Sequence, residues 1–397
     1  MKNFIFISPN FPTNYWMFCR ELKNNGMNVL GIGDQPYEEL SQELKDSLNE
    51  YYKVDSLENY DAVYRAVAFL IFKHGPIDWL ESNNEYWLER DARLRTAFHI
   101  TTGFQETDIP RIKYKSRMKE YYAKAGIPAA RYHLVEGWDD CKAFIDLVGY
   151  PVVVKPDNGV GASDTHALKS DDDLAHFFET RFEGITYIME EFVFAEVNSY
   201  DAIYDASGEP IFETGNVTPM SIMDTVNDND NSRYYIRRDL PDDIRSAGRA
   251  TAKSFGVKSR FIHFEFFRLY QDQEGLGKSG DVVGLEVNMR PSGGFTPDMI
   301  NFAHGTNVYK VWADMVAFDR TDEPQRDHFF CAYVGRRDGK DFVCSHEEIM
   351  DKYGACMKMV GRIPKVLSGA MGDQMYMAVF PTQEGLDEFF RDTLSCR

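Results

Sequence analysis

The stretch Val282-Val-Gly-Leu-Glu286-Val-Asn288-Met-Arg290-Pro-Ser-Gly-Gly294 constrains the fold of this chain more than any other. It opens as an apolar run, which reads as a buried strand, and ends on a carboxylate, an amide and a guanidinium at alternate positions. Residues i, i+2 and i+4 of a strand share one face. Glu286, Asn288 and Arg290 are therefore expected to project together into one site, directly before a glycine turn. Glu and Asn offer hard oxygen ligands of the kind Mg2+ takes when it also holds substrate phosphates. Arg offers planar donors for a carboxylate or phosphate. A solvated strand face would carry the same pattern, so the partners of this stretch decide its meaning.

Residues 3–110 alternate short buried strands (Phe4–Ile7, Met27–Ile32, Ile77–Glu81) with helical stretches (Asn14–Asn25, Tyr60–Lys73, Tyr86–His99). Such alternation predicts parallel strands with crossover helices. Gly31-x-Gly33 lacks the third glycine of a dinucleotide fingerprint and reads as a strand-end turn. Lys115–Ala125 is a helix stopped by Gly126-Ile-Pro128. Residues 132–192 form a compact unit of strand, helix (Trp138–Val148), strand, glycine loop, helix (Asp171–Arg181) and strand. From about Ser199 strands dominate: Tyr200–Tyr204, Ile211–Asn216, Phe261–Leu269 and Val282–Asn288. The polar stretch Asp224–Asp239 carries no core pattern and reads as a loop or lid. Its Arg233, Arg237, Arg238, Tyr234 and Tyr235 fit either a solvated loop or a surface that closes on an acidic ligand. A helix follows over Asp242–Phe255, then short strands over 329–382, among them Phe330–Val334 and Gln374–Phe380, and a last helix over Leu386–Leu394. Four regions are expected: 1–110, 111–195, 196–320 and 321–397, the last without a functional signature.

Composition narrows the partners. Asp and Glu outnumber Lys and Arg by 63 to 44, a net charge of −19, which argues against nucleic acid or an anionic membrane as partner. An anionic nucleotide stays compatible, because a few lysines and glycine amides suffice to hold one. The longest apolar run, Ala66–Phe72, is far below the roughly 18 residues of a spanning helix, and Met1–Ile7 is too short for a signal-peptide core. The six cysteines show no close CxxC pairing, as expected of free thiols in a reducing cytoplasm.

Three further segments carry chemistry. Val152-Val-Val-Lys155-Pro ends a β-branched strand on a lysine, and Asp157-Asn-Gly159-Val-Gly161-Ala-Ser163 follows. Glycines let backbone amides approach phosphate oxygens, which a lysine neutralises. The loop is not a Walker A motif, and a plain hairpin turn would also fit it. Tyr187-Ile-Met-Glu190-Glu191-Phe192-Val193 is a strand running into a connector, with Glu196 close behind. Exposed backbone there suits an adenine edge, and an acid suits ribose hydroxyls; an ordinary strand end reads the same way. His263-Phe-Glu265-Phe-Phe267 sets a carboxylate in an apolar strand, where it needs a counter-charge or a metal.

Taken in order, Lys115, Lys155 with its glycine loop, the acidic hinge Glu190–Val193, Glu196, Glu265 and Glu286-x-Asn288 resemble the ATP-grasp superfamily over roughly residues 1–310. The resemblance implies an α/β chain. Its ATP-grasp fold has two α+β lobes clasping ATP, with a Rossmann-like domain before them. It implies that Lys115 and Lys155 contact ATP phosphates, that Gly159, Gly161 and Ser163 fold over them as a flap, and that the backbone of Glu190, Glu191, Phe192 and Val193 holds adenine, with Glu190 assisting. Glu196 would take the ribose. Glu265, Glu286 and Asn288 would bind two Mg2+ ions, with Mn2+ as a substitute, and Arg290 would hold a substrate carboxylate or an acyl phosphate.

The implied reaction joins a small carboxylic acid to an amine through an acyl phosphate. Glu-x-Asn-x-Arg resembles the biotin carboxylase and carbamoyl-phosphate synthetase branch, yet that branch has a glutamate where this chain has Gly294, so bicarbonate is not the expected acid. Pro-Ser-Gly-Gly looks more like the L-amino-acid ligases and carnosine-synthase-like enzymes. An ATP-grasp kinase and a non-catalytic ATP-binding module are the alternatives. Dimers are common in related enzymes, so a homodimer is an expectation that the sequence itself does not carry.

Overall fold

The computed structural model describes residues 1–159, 164–219 and 230–397. Three sheets organise the chain. The first contains β1 (Asn3–Ile7), β2 (Asn28–Gly33), β3 (Glu50–Lys53) and β4 (Trp79–Glu81), all parallel, in the order β3-β2-β1-β4. Helices cover both faces. Phe4 and Phe6 turn towards Phe18 and Leu22, while Ile5 and Ile7 turn towards Val63, Val67 and Leu70. Burial on both faces explains why these strands read as continuous apolar runs.

The second sheet contains β5 (Tyr132–Leu134), β6 (Val152–Pro156), β7 (His166–Leu168) and β8 (Tyr187–Glu191), antiparallel, in the order β5-β8-β6-β7. Helices Trp138–Val148 and Asp171–Thr180 cover one face, where Phe144, Ile145, Leu174 and Phe177 meet Val152, Val154 and Met189. Strand alternation then sends Lys155 and Glu190 to the opposite face.

The third sheet is the largest. It contains β9 (Ala195–Tyr204), β10 (Pro210–Thr214), β11 (Asn216–Thr218), β12 (Ser232–Ile236), β13 (Arg260–Leu269), β14 (Val282–Asn288), β15 (Phe330–Arg336), β16 (Met357–Arg362) and β17 (Gln374–Phe380). Its order is β14-β13-β9-β11-β12-β15-β17-β16, with β10 on β9. Tyr200, Phe264, Phe266 and Val287 on one face pack under helices Lys115–Ala125 and Asp242–Phe255. Close approach is built in: a Cβ on Gly248 would lie 2.2 Å from the Tyr200 ring, and one on Gly284 2.5 Å from the Tyr122 ring. The other face is apolar at Ile203 and Phe261, which join the core around Met299 and Trp312, and becomes polar at Asp201, His263 and Glu265.

Two sequence expectations are corrected here. Ser232–Ile236, expected inside a loop or lid, is β12, paired with β11 on one side and β15 on the other. Its Ser232 and Ile236 are buried and Tyr234 stacks on Tyr333 at 4.9 Å, so tyrosines supply the burial that the surrounding Asn and Asp disguise. Residues 224–229 of that stretch lie outside the described residues. Ile211–Asn216 is two strands, not one. Both run antiparallel along β9, and the pairing breaks at Gly215, where a Cβ would stand 2.4 Å from the Ser199 carbonyl oxygen. Segment 321–397 contributes β15, β16 and β17 to this same sheet. Among the described residues no helix is long and apolar enough to cross a membrane.

Candidate functional site

The polar face of β13 and β14 forms the centre. Glu265 and Glu286 are directly paired across the two antiparallel strands, and His263 and Asn288 are the next pair on that face. Directly opposed residues of this kind carry Cβ atoms about 4.5–5.5 Å apart, close enough for two carboxylates to repel. Cations offset that repulsion: the Lys115 Nζ is 3.3 Å from Glu286 Oε1, and His263 Nε2 is 3.3 Å from Glu265 Oε1. His263 Nδ1 is 2.8 Å from Asp201 Oδ1, so both ring nitrogens face carboxylates. Burial opposes its charge, but Asp201 and Glu265 push its pKa up to about 9. Burial likewise works to raise the Glu265 carboxyl, yet the His263 hydrogen bond and the charges of His263, Arg290 and Lys155 hold it below the ordinary range. Among the described residues no group of three or more His, Cys, Asp and Glu side chains has metal-cage geometry. The donor set is open, two carboxylates and one amide. Such a set suits Mg2+, which completes its shell with water and phosphate oxygens.

Above these carboxylates stands a cluster of lysines. Lys155 Nζ lies 2.5 Å from Glu190 Oε2, and Lys119 pairs with the other oxygen of the same carboxylate. Burial raises the Glu190 pKa, but Lys119 and Lys155 outweigh it and bring it down to about 2. Lys115 donates to the Gly159 carbonyl at 3.0 Å, and Asp157 accepts from the Ser116 amide and hydroxyl at 2.7 Å each. Asp157 thereby caps helix Lys115–Ala125 and ties its N-terminus to the base of the glycine loop. Gly161 and Ser163 lie outside the described residues.

The hinge differs in detail from expectation. Glu190 and Glu191 end β8 and do not lie in the connector, and both carboxylates are taken, Glu191 by Arg131 at 2.7 Å. Phe192 and Val193 do form the connector. Gln273 binds the Phe192 carbonyl at 2.8 Å and the Phe194 amide at 3.3 Å, which leaves the Val193 amide and carbonyl without a partner among the described residues. Glu196 lies in β9, where Asn198 donates to it at 3.1 Å and Arg237 stands 3.6 Å away. Arg268, on the opposite face of β13 from Glu265, pairs with Asp243 at 2.7 Å.

Arg290 lies just past β14 and reaches back to Asn288 Oδ1 at 3.2 Å and to the Pro291 carbonyl at 2.8 Å. Its Nε is 3.6 Å from Oε2 of Glu85, a buried carboxylate oxygen with no hydrogen-bond partner. Burial, only partly offset by Arg290 and Lys113, raises the Glu85 pKa. Glu85 opens a short turn beyond β4, the end of a parallel sheet at which ligands gather. The sequence reading overlooked Glu85, Lys119, Asp157 and Asp201. Lys119 had a signal, since it follows Lys115 by one helical turn; Glu85 had none, because only the packing of the first sheet on the third brings it to Arg290.

No protein-family profile matches the chain. In sequence it is similar to the L-arginine-specific L-amino acid ligase of Bacillus subtilis, 24% identical over 309 residues, 76% of this chain and 71% of that protein. In structure it is similar to an L-amino acid ligase from Bacillus licheniformis, with a TM-score of 0.71 at 14% identity over 98% of this chain and 96% of that one. It is also similar to the biotin carboxylase domain of the Hydrogenobacter thermophilus 2-oxoglutarate carboxylase, solved as a dimer with MgADP, ADP and bicarbonate. The TM-score is 0.69 at 15% identity, over 100% of this chain and 90% of that one. The chain has the ATP-grasp fold and is similar in sequence to an L-amino acid ligase and in fold to an L-amino acid ligase and a biotin carboxylase domain.

Proposed function

We propose that the protein is an ATP-dependent ligase that activates a small carboxylic acid, an amino acid by preference, and joins it to an amine. A carboxylate oxygen of the acid attacks the γ-phosphorus of ATP, the bridging P–O bond breaks, and ADP leaves. The amine nitrogen, having lost a proton, then attacks the acyl carbon, and inorganic phosphate leaves as the amide forms. Positioning and charge neutralisation are the main catalytic needs of such a path.

The residues divide that work as follows. Lys115 and Lys155 would meet the phosphates, with Glu190 between Lys155 and Lys119 keeping those ammonium groups charged and in place. The N-terminus of helix Lys115–Ala125 adds its partial positive charge on the same side. The Val193 amide and carbonyl would take the adenine edge, and Glu196 the ribose. Glu265, Glu286 and Asn288 would hold two Mg2+ ions, or Mn2+ in their place, which supply neutralisation of the phosphate charge. Arg290 would hold the acid's carboxylate, and the Ser292–Gly294 backbone would line the same place. In this division residues 1–110 supply Glu85, 111–195 the flap and hinge, 196–320 the carboxylates, and 321–397 the far strands of the large sheet. A cytoplasmic homodimer is part of the same reading; the six unpaired thiols support the compartment.

The observation that carries the proposal is the face-to-face pair Glu265 and Glu286, with Asn288 and Arg290 beside it and Lys115 and Lys155 above. The test is ADP release with amino acids offered singly and in pairs, with mass spectrometry of the product. Release that needs both an acid and an amine, with a condensed product, supports the reading; release with one alcohol, or none with any pair, contradicts it.

A further inference from the structure

The turn after Arg290 is built without a side chain, and a distant segment fills the space. Gly294 has φ +61°, and a Cβ placed there would lie 2.9 Å from Met371 Cε and 3.2 Å from its Sδ. Met371 ends helix Lys365–Met371, in the region that carried no functional signature in the sequence. The end of this helix is pinned. Tyr333 donates its hydroxyl to the Met371 carbonyl at 2.8 Å, and Arg337 donates to the Gly369 carbonyl at 2.5 Å and to that of Ser368. Gly335 has no room for a side chain against the same carbonyl, since a Cβ would lie 1.8 Å from that oxygen. A cation at the last carbonyls of a helix also favours its macrodipole. From the other side Asn14 donates to the Gly294 carbonyl at 3.3 Å and to Asp298 at 2.9 Å. The Gly293–Gly294 turn is thus held between Asn14, just before helix Trp16–Asn24, and the end of helix Lys365–Met371.

We infer that Met371 forms one wall of the pocket that receives the side chain of the activated acid, and so sets which acids are accepted. The inference rests on the ligase reading, with the acid's carboxylate at Arg290. That carboxylate, held at Arg290 and along the turn, leaves the acid's own substituent beside Gly294, against the thioether. Met is flexible and polarisable, so it fits apolar groups of varied shape, whereas a charged group against it would be left without a partner. The pocket therefore takes an acid with an apolar side chain, its size limited by Met371.

The test is ADP release with a fixed amine and glycine, alanine, valine, leucine and phenylalanine as acids, for wild type, M371A, M371L and M371F. M371A is expected to raise the kcat/KM of large acids relative to small ones by about tenfold or more, the scale of a methylene or two in an apolar pocket. M371F is expected to lower that ratio, and M371L to stay near wild type, with the KM for ATP unchanged in all. A purely structural role would change every acid by the same factor, and that result overturns the inference while leaving the ligase reading intact. Should M371A fail to fold, M371F and M371L read the same ratio. No acid-dependent ADP from wild type would overturn the ligase reading, and the inference with it.

Discussion

Lys119→Met isolates the charge arrangement above the carboxylates. Glu190 is 4% exposed and has two ion-pair partners, Lys119 and Lys155. Removing one partner of an isolated buried pair costs about 3–5 kcal/mol; with Lys155 still in place the expected loss of stability is nearer 2 kcal/mol. The effect on nucleotide follows from the net charge of the triad, which falls from +1 to 0. A unit charge on the order of 6 Å from a phosphate, in an effective dielectric near 20, contributes about 3 kcal/mol, or roughly a hundredfold in affinity before salt screening. Screening brings the expectation to a Kd for ATP raised between about tenfold and a hundredfold. Glu190→Gln should act in the opposite direction on binding, since the triad becomes +2: ATP affinity stays level or rises, while the apo fold loses about 3–5 kcal/mol from two buried ammonium groups without a counter-charge. Calorimetric titration with ATP and no acid, alongside urea unfolding, measures both. If both variants weaken ATP by the same factor, the triad is structural and the reasoning fails.

Three further outcomes are expected. Glu286→Gln should lower ADP release by at least about a hundredfold and abolish magnesium-dependent thermal stabilisation in the presence of an ATP analogue, because it removes one of two opposed carboxylates; unchanged turnover would exclude Glu286 from the site. Gly248→Ala gains helix propensity of about 1 kcal/mol but drives a methyl into the Tyr200 ring 2.2 Å away, so net destabilisation of about 1–3 kcal/mol is expected in urea unfolding. His304 is buried with Thr214 Oγ1 2.7 Å from its Nε2, and burial, with the charge of His328, lowers its pKa to about 4. A depressed histidine is neutral in the fold while the unfolded chain protonates first, near pH 6.5, so stability falls as pH drops from about 6.5 towards 4. The full effect is about 3 kcal/mol, and about 2 kcal/mol at pH 5. His304→Gln should remove that slope, and an identical slope in both proteins would refute the assignment.

Local periodicity made part of this site legible. The strand alternation of Glu286, Asn288 and Arg290 and the isolated acid Glu265 were visible because each breaks an apolar strand at a fixed offset, and the fold sets Glu265 and Glu286 opposite one another. Lys115 and Lys155 stood out by their place beside a helix start and a glycine loop. Glu85, Asp201 and Met371 were not legible, because each meets its partner only through packing between distant segments. The strand Ser232–Ile236 was hidden by its polar neighbours: charge and Asn content marked a loop, while tyrosine stacking between β12 and β15 made a strand. The side chains of Glu190 and Glu191 illustrate the limit of order along the chain. Their position next to the connector was readable, but not their engagement by Lys119, Lys155 and Arg131.

An acid labelled with 18O in its carboxyl group follows the central bond change atom by atom. If the carboxylate oxygen attacks the γ-phosphorus and the amine later expels phosphate, one 18O from the acid appears in the inorganic phosphate, in step with amide formed. Amide formed together with unlabelled phosphate, the second 18O having left the acid by another route, would contradict the account.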